Sequence, residues 1–113
     1  MHRLIIEAKE LNTSTKYYLN GDFFDYIEEV LVKDLSFVRL YNTVGKVYTL
    51  DTTIDNIWDV ILKNKEAASQ FGVFTLMNGC RAIIKMTDVI YTADCKEFRI
   101  ITLSGGVNQV RVK

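Results

Sequence analysis

The chain has 113 residues, with 14 basic and 14 acidic side chains, no proline and a hydrophobic fraction of 49%. That length makes one domain with enough apolar surface for a core without metal or disulfide support, and the composition excludes a disordered or proline-rich chain. A net charge of zero supplies no overall attraction to nucleic acid or to an anionic membrane.

In chain order, Leu4 to Ile6 and Tyr17 to Leu19 are short strand-like runs with Asn12-Thr13-Ser14 between them. The opening MHRLIIEAKE meets charge after three apolar residues, so no signal peptide is expected. No run is apolar for long enough to span a bilayer, no membrane partner is expected, and the expected compartment is the cytoplasm. Asn20-Gly21 is a hairpin signal, since both residues tolerate positive φ. Phe23 to Ile27 and Val30 to Val32 follow as strands. The stretch Asp25 to Asp34 also fits a helical stripe through Tyr26, Val30 and Lys33, but is read as strand.

From Phe37 to Tyr41 the residues are β-branched, aromatic or long aliphatic, and Val47 to Leu50 repeats that character after the turn signal Gly45-Lys46. A hairpin is expected. Thr52 or Thr53 then caps a helix with Asp55 at its positive end, and Ile54, Ile57, Trp58, Ile61 and Leu62 form one buried face. Polar residues from Lys63 to Gln70 end that helix, with Gly72 beyond its C-terminus. Phe74 to Leu76, Ala82 to Lys85 and Val89 to Tyr91 read as strands or connectors. Phe98 to Leu103 and Val107 to Val112 alternate their faces on either side of Ser104-Gly105-Gly106, which predicts a terminal hairpin. The expected fold class is mainly β with one principal helix packed on the sheet, an α+β single domain over 1–113.

Catalytic devices are hard to build from these residues, and no enzyme is expected. The one histidine, His2, lies at a terminus, so a Ser-His-Asp or Cys-His arrangement has no base. Glu28 and Glu29 are adjacent on a strand and point to opposite faces, so they do not share a site; with Asp22 and Asp25 they read as solvated surface charge. Ser104-Gly105-Gly106 lacks the glycine pattern, lysine and helix of a phosphate loop. Cys80 and Cys95 lack metal-ligand spacing and read as free thiols, so neither metal nor cofactor is expected. The aromatics Tyr17, Tyr18, Phe23, Phe24, Tyr26, Phe37 and Tyr41 are flanked by aliphatics and read as packing residues rather than a base-stacking platform.

Charge is unevenly distributed along the chain. Residues 1–60 hold six basic against ten acidic side chains, whereas residues 81–113 hold six against three. The basic third carries hydrogen-bond donors as well: Arg81, Lys85, Asn108, Gln109, Arg111 and Lys113, with Asn78 just before them. Arg, Asn and Gln on turns beside strands are the types that read base edges, and Lys neutralises phosphate.

The order of these pieces resembles the LytTR DNA-binding domain of bacterial response regulators. FVRLYNTVGKVYTLDTTIDNI follows that family's strand, turn, strand and helix; DYIEE at Asp25 to Glu29 resembles its upstream element; AIIK after Phe74 stands where the family has Tyr-Ile-Val-Asn. The family's His-Arg-Ser element is represented by Arg81 alone, and its Asn by Lys85. The resemblance implies a small β-barrel or sandwich that contacts double-stranded DNA from loops, acting in transcription regulation as a stand-alone or excised domain. By position those loops lie near Lys33, near Asn78 to Arg81, and near Arg111 to Lys113. Arg81 is the expected base-edge contact, Lys85 and Lys113 the expected phosphate contacts, and Arg111 suits either. The alternative expectation is a non-enzymatic protein-interaction module or inhibitor on the same scaffold, in which edge strands rich in Val, Ile and Tyr pair with a protein partner or in a homodimer.

Overall fold

A computed structural model describes residues 4–103 and 108–113. The described residues form ten strands in three antiparallel sheets, with one principal helix. Strands β1 (Ile5–Lys9) and β2 (Lys16–Asn20) make a two-stranded sheet. The central sheet has the order β5-β4-β3-β7-β6, from β3 (Phe24–Val32), β4 (Leu35–Asn42), β5 (Val47–Leu50), β6 (Phe71–Thr75) and β7 (Arg81–Lys85). Strands β8 (Val89–Asp94), β9 (Arg99–Leu103) and β10 (Gln109–Val112) form the third sheet, with β9 in the middle.

The central sheet is buried on both faces because its strands carry apolar residues at both parities. Ile27, Val38, Leu40 and Ile83 face a core shared with Leu4, Ile6 and Ala8 around β1, and with Ile54, Ile57 and Ile61 of helix α1 (Ile54–Lys63). On the opposite face Tyr26, Ala82 and Ile84 meet Ile101, Leu103, Val110 and Val112 of the third sheet. Three layers result, with the helix against one face only. Of the two arrangements expected, the open strand order shows a sandwich rather than a closed barrel.

Local signals explain most elements. Thr53 Oγ1 accepts the Asn56 N–H at 3.2 Å and caps α1, and Asp55 sits in its first turn. Gly45 takes φ +90 in the turn between β4 and β5, which Asn42 closes by accepting from the Val44 and Lys46 N–H groups. The face of α1 is narrower than expected: Trp58 is half-buried and Leu62 is half exposed.

Three expectations are corrected. Asn20-Gly21 does not turn a hairpin; the pair enters a short 3-10 turn, Gly21–Phe23, leading from β2 into β3. Gly21 is needed there for close approach, since a Cβ would lie 2.8 Å from Leu4 Cδ2. Val30 to Val32 is not a separate strand but the end of one nine-residue strand, β3. Gly72 lies inside β6 rather than after the helix, and a second short helix, α2 (Lys65–Ala68), capped by Asn64, occupies the polar stretch instead. The terminal hairpin is present as the pairing of β9 with β10, while Ser104-Gly105-Gly106 and Val107 lie outside the described residues.

Candidate nucleic-acid interface

Antiparallel register gathers several chain ends at one end of the central sheet. Glu28 pairs with Ala82 and Arg39, and Thr75 pairs with Arg81, so the β3–β4 and β6–β7 turns leave from the same end. A bridge from Leu76 to Val112, and the Lys113 N–H donating to the Thr75 carbonyl at 3.0 Å, bring the end of β10 alongside. Leu50, at the end of β5, pairs with Val38, which puts the start of α1 there too.

Lys33, Asn78, Arg81, Arg111 and Lys113 lie at or near this end, whereas Lys85, paired with Phe71, lies at the opposite end of β7. Lys33 is exposed at the tip of the β3–β4 turn with φ +53, a left-handed conformation uncommon for a side chain with a Cβ. Beyond the last pairings with the neighbouring strands, Val30 to Val32 pair only with Leu35 to Phe37, so this tip projects as a two-stranded tongue. Leu31, Val32 and Leu35 are exposed along it.

Asn78 and Arg111 line one open groove of about 250 Å³ with Gln109, Met77, Leu76, Tyr26, Val110 and Glu28. Asn78 Oδ1 accepts from the Cys80 N–H at 3.0 Å, which fixes the β6–β7 turn and leaves the amide nitrogen of this exposed residue as its donating group. The Arg111 guanidinium carbon lies 5.3 Å from the centre of the Phe98 ring, a cation–π contact that holds the side chain without consuming its donors. Glu28 brings negative charge to the groove wall: its Oε1 accepts from the Tyr41 hydroxyl at 2.5 Å and lies 3.8 Å from Arg39. Burial, then the Glu28 carboxylate, push the Tyr41 hydroxyl up to about 12. Lys113 lies around the corner, in a shallow depression with Phe98, Arg99 and Cys95.

Two expected contacts are not free to act as the sequence suggested. Lys85 is buried, at 6% exposure, and its Nζ donates to the Gly21 carbonyl at 3.0 Å with Asp88 3.9 Å away. A phosphate cannot reach it. Arg81 is held on both edges: Nε and Nη2 donate to Glu29 at 3.3 and 2.8 Å, and Nη1 and Nη2 donate to Asp55 at 2.7 and 3.2 Å. The backbone N–H of Arg81 also donates to Glu29 Oε1 at 3.0 Å. These bonds hold the Glu29 and Asp55 carboxyls below their ordinary range and push the guanidinium further up. As a base reader Arg81 is therefore occupied.

The acidic residues read as solvated charge are the larger surprise. Asp25 is fully buried, at the β-bulge where β3 slips register against β4 between Phe24 and Tyr26, and the bulge turns its side chain between the sheets. Asn108, just before β10, donates through Nδ2 to Asp25 Oδ2 at 2.7 Å and to the Asn42 carbonyl at 2.9 Å. Asn108 is thus a buried clamp between sheets rather than a surface donor. Asp25 Oδ1 has no hydrogen-bond partner among the described residues, and burial, with Asp88 adjoining, pushes the carboxyl up to about 6 against the opposing pull of Asn108 and Lys85. Glu29 is 8% exposed beneath Arg81. No signal in the sequence marks these partners, which lie 52 to 83 residues away.

The other expectations divide simply. Cys80 and Cys95 are free thiols, one buried and one exposed. Phe24, Tyr26 and Phe37 are buried, Tyr26 stacking on Tyr41 at 4.3 Å, whereas Tyr18 and Phe23 stand exposed. No group of side chains suited to a metal ion occurs among the described residues, and none of their helices is long and apolar enough to cross a membrane. Comparison with known protein-family models, curated proteins and solved structures gives no match.

Proposed function

We propose that this chain is a double-stranded DNA-binding domain that acts in transcription regulation and contacts DNA from loops at one end of its central sheet. The observation that carries the reading is the gathering of the β3–β4 turn, the β6–β7 turn and the end of β10 at that end, with the Asn78 amide and the Arg111 guanidinium on one groove. These three regions are the ones that the resemblance to LytTR domains singles out in the sequence. In this reading Arg111 and Asn78 face base edges, Lys33 and Lys113 face phosphates, and Lys85 is a structural residue.

Binding by this mechanism releases counterions from DNA, so affinity falls steeply with salt. Fluorescence anisotropy of a labelled mixed-sequence duplex across a salt series tests it. Salt-dependent binding to the wild-type chain is expected, and binding no stronger than to a neutral control protein at low salt would sink the reading. Arg111→Ala is expected to lose about 1–3 kcal/mol of binding to a selected site if its guanidinium meets a base edge.

A second reading, a protein-interaction module on the same scaffold, is favoured by two observations. Arg81 is neutralised by two carboxylates, and β8 leaves an open edge whose first five residues carry no charge, with Ile90 and Tyr91 exposed. Light scattering coupled to size exclusion, followed by pull-down, separates the two: a monomer that retrieves duplex DNA and no protein counts against the second.

A further inference from the structure

The two carboxylates on Arg81 differ in kind. Glu29 lies beneath the guanidinium, its side chain 9% exposed, and also holds the Arg81 backbone; Asp55 lies outside it with its side chain 71% exposed. Asp55 projects from the first turn of α1 and takes the outer edge of the guanidinium with both oxygens, at 2.7 and 3.2 Å. That two-oxygen geometry is how an arginine fork meets a phosphate or carboxylate ligand. The pair borders a cavity of about 240 Å³ lined by Ile54, Asp55, Trp58, Val73 and Arg81. An exposed ion pair of this sort adds little to stability and gives way to a competing anion, whereas the buried Glu29 contact persists.

We infer that the outer edge of Arg81 is an oxyanion site held shut by Asp55, and that a backbone phosphate of bound DNA takes the place of the Asp55 carboxylate there. The inference rests on the DNA-binding reading and adds regulation to it: Asp55 is an internal competitor that lowers affinity until a polyanion displaces it. Glu29 keeps the guanidinium pointed outward during the exchange, so Arg81 acts on phosphate and not on a base. Thr53, not Asp55, caps the helix, so removing the Asp55 charge leaves the cap in place.

Anisotropy with a labelled duplex, comparing wild type, Asp55→Asn and the double variant Asp55→Asn with Arg81→Gln, tests this directly. Asp55→Asn is expected to bind about threefold or more tightly at low salt, with a log–log salt slope steeper by about one, as for one added phosphate contact. The double variant, whose glutamine amide still reaches toward Glu29, is expected to lose that gain. A titration with inorganic phosphate supplies an arm independent of DNA, because Trp58 is the one tryptophan and borders the cavity. Its emission is expected to respond at lower phosphate in Asp55→Asn than in wild type. If wild type binds DNA and Asp55→Asn binds no tighter with the same slope, the inference falls and the DNA reading stands. If neither binds DNA, both fall.

Discussion

Asp25 is the residue whose chemistry is least like its sequence context. Its carboxylate is fully buried with one oxygen lacking a partner, beside a second carboxylate, Asp88, and two ionised carboxylates have no proton to share. Burial raises its folded pKa to about 6, above the ordinary 3.8, so the folded state binds the proton more tightly than the unfolded chain. The destabilisation is therefore present in full above pH 6 and is relieved as pH falls from about 6 toward 4. Asp25→Asn, which keeps the shape and removes the charge, is expected to stabilise the chain at pH 7 by about 1–3 kcal/mol. The variant should also be less sensitive to pH between 4 and 6, as urea denaturation at several pH values will read; equal stability of both proteins at pH 7 would contradict the burial of this charge. Lys85 gives the opposite result, because its ammonium satisfies the Gly21 carbonyl and offsets Asp25 and Asp88. Lys85→Met is expected to cost about 3 kcal/mol of stability, where an exposed phosphate contact would cost almost none. A melting temperature unchanged by that substitution would return Lys85 to the surface. Neither environment was legible in the sequence, since polar identity says nothing of burial when the partner is the Asn108 amide or the Gly21 carbonyl, 83 and 64 residues away.

At the scale of elements, what could be read was what local chemistry decides. The β4–β5 hairpin and α1 follow from Asn42, Gly45 and the Thr53 cap, each acting within four residues. Asn20-Gly21 failed because the same residue pair suits a 3-10 turn, where Asn20 Oδ1 accepts the Asp22 N–H at 2.9 Å, and tertiary packing on Leu4 chose between them. Strand β3 looked interrupted because Glu28-Glu29 falls in its middle. Each glutamate meets its own partner on its own face, Tyr41 for Glu28 and Arg81 for Glu29, so the strand continues. The tongue at the end of β3 and β4 carries its strain at Lys33, and a glycine there removes the Cβ that disfavours φ +53. Lys33→Gly is expected to raise stability by about 0.5–1 kcal/mol, net of the entropy glycine loses on folding. Chemical denaturation checks it, and a clear loss of stability would mean that the Lys33 side chain makes a contact worth more than the strain. The same variant is expected to weaken DNA binding, separating the turn's conformation from its charge.

Across the whole molecule, the three-layered sandwich uses both faces of the central sheet for cores, which leaves strand ends and turns as the places where polar groups converge. That convergence depends on register between strands far apart in sequence, so no local signal marks it. The local electrostatics were not legible, since counting basic residues in the C-terminal third included Lys85, which is buried, and Arg81, which is paired twice. Lys33, Asn78, Arg111 and Lys113 are the proposed contacts, joined at the outer edge of Arg81 once Asp55 is displaced, and Glu28 adds negative charge to the groove that Asn78 and Arg111 line. The claim is most directly tested by mapping backbone amide chemical shifts while a mixed-sequence duplex is added at low salt. Changes confined to the tongue around Lys33, the turn from Met77 to Arg81 and the strand end from Gln109 to Lys113, fading as salt rises, are the expected result. Shifts that are absent at low salt, or that run instead along the open edge of β8, would contradict it.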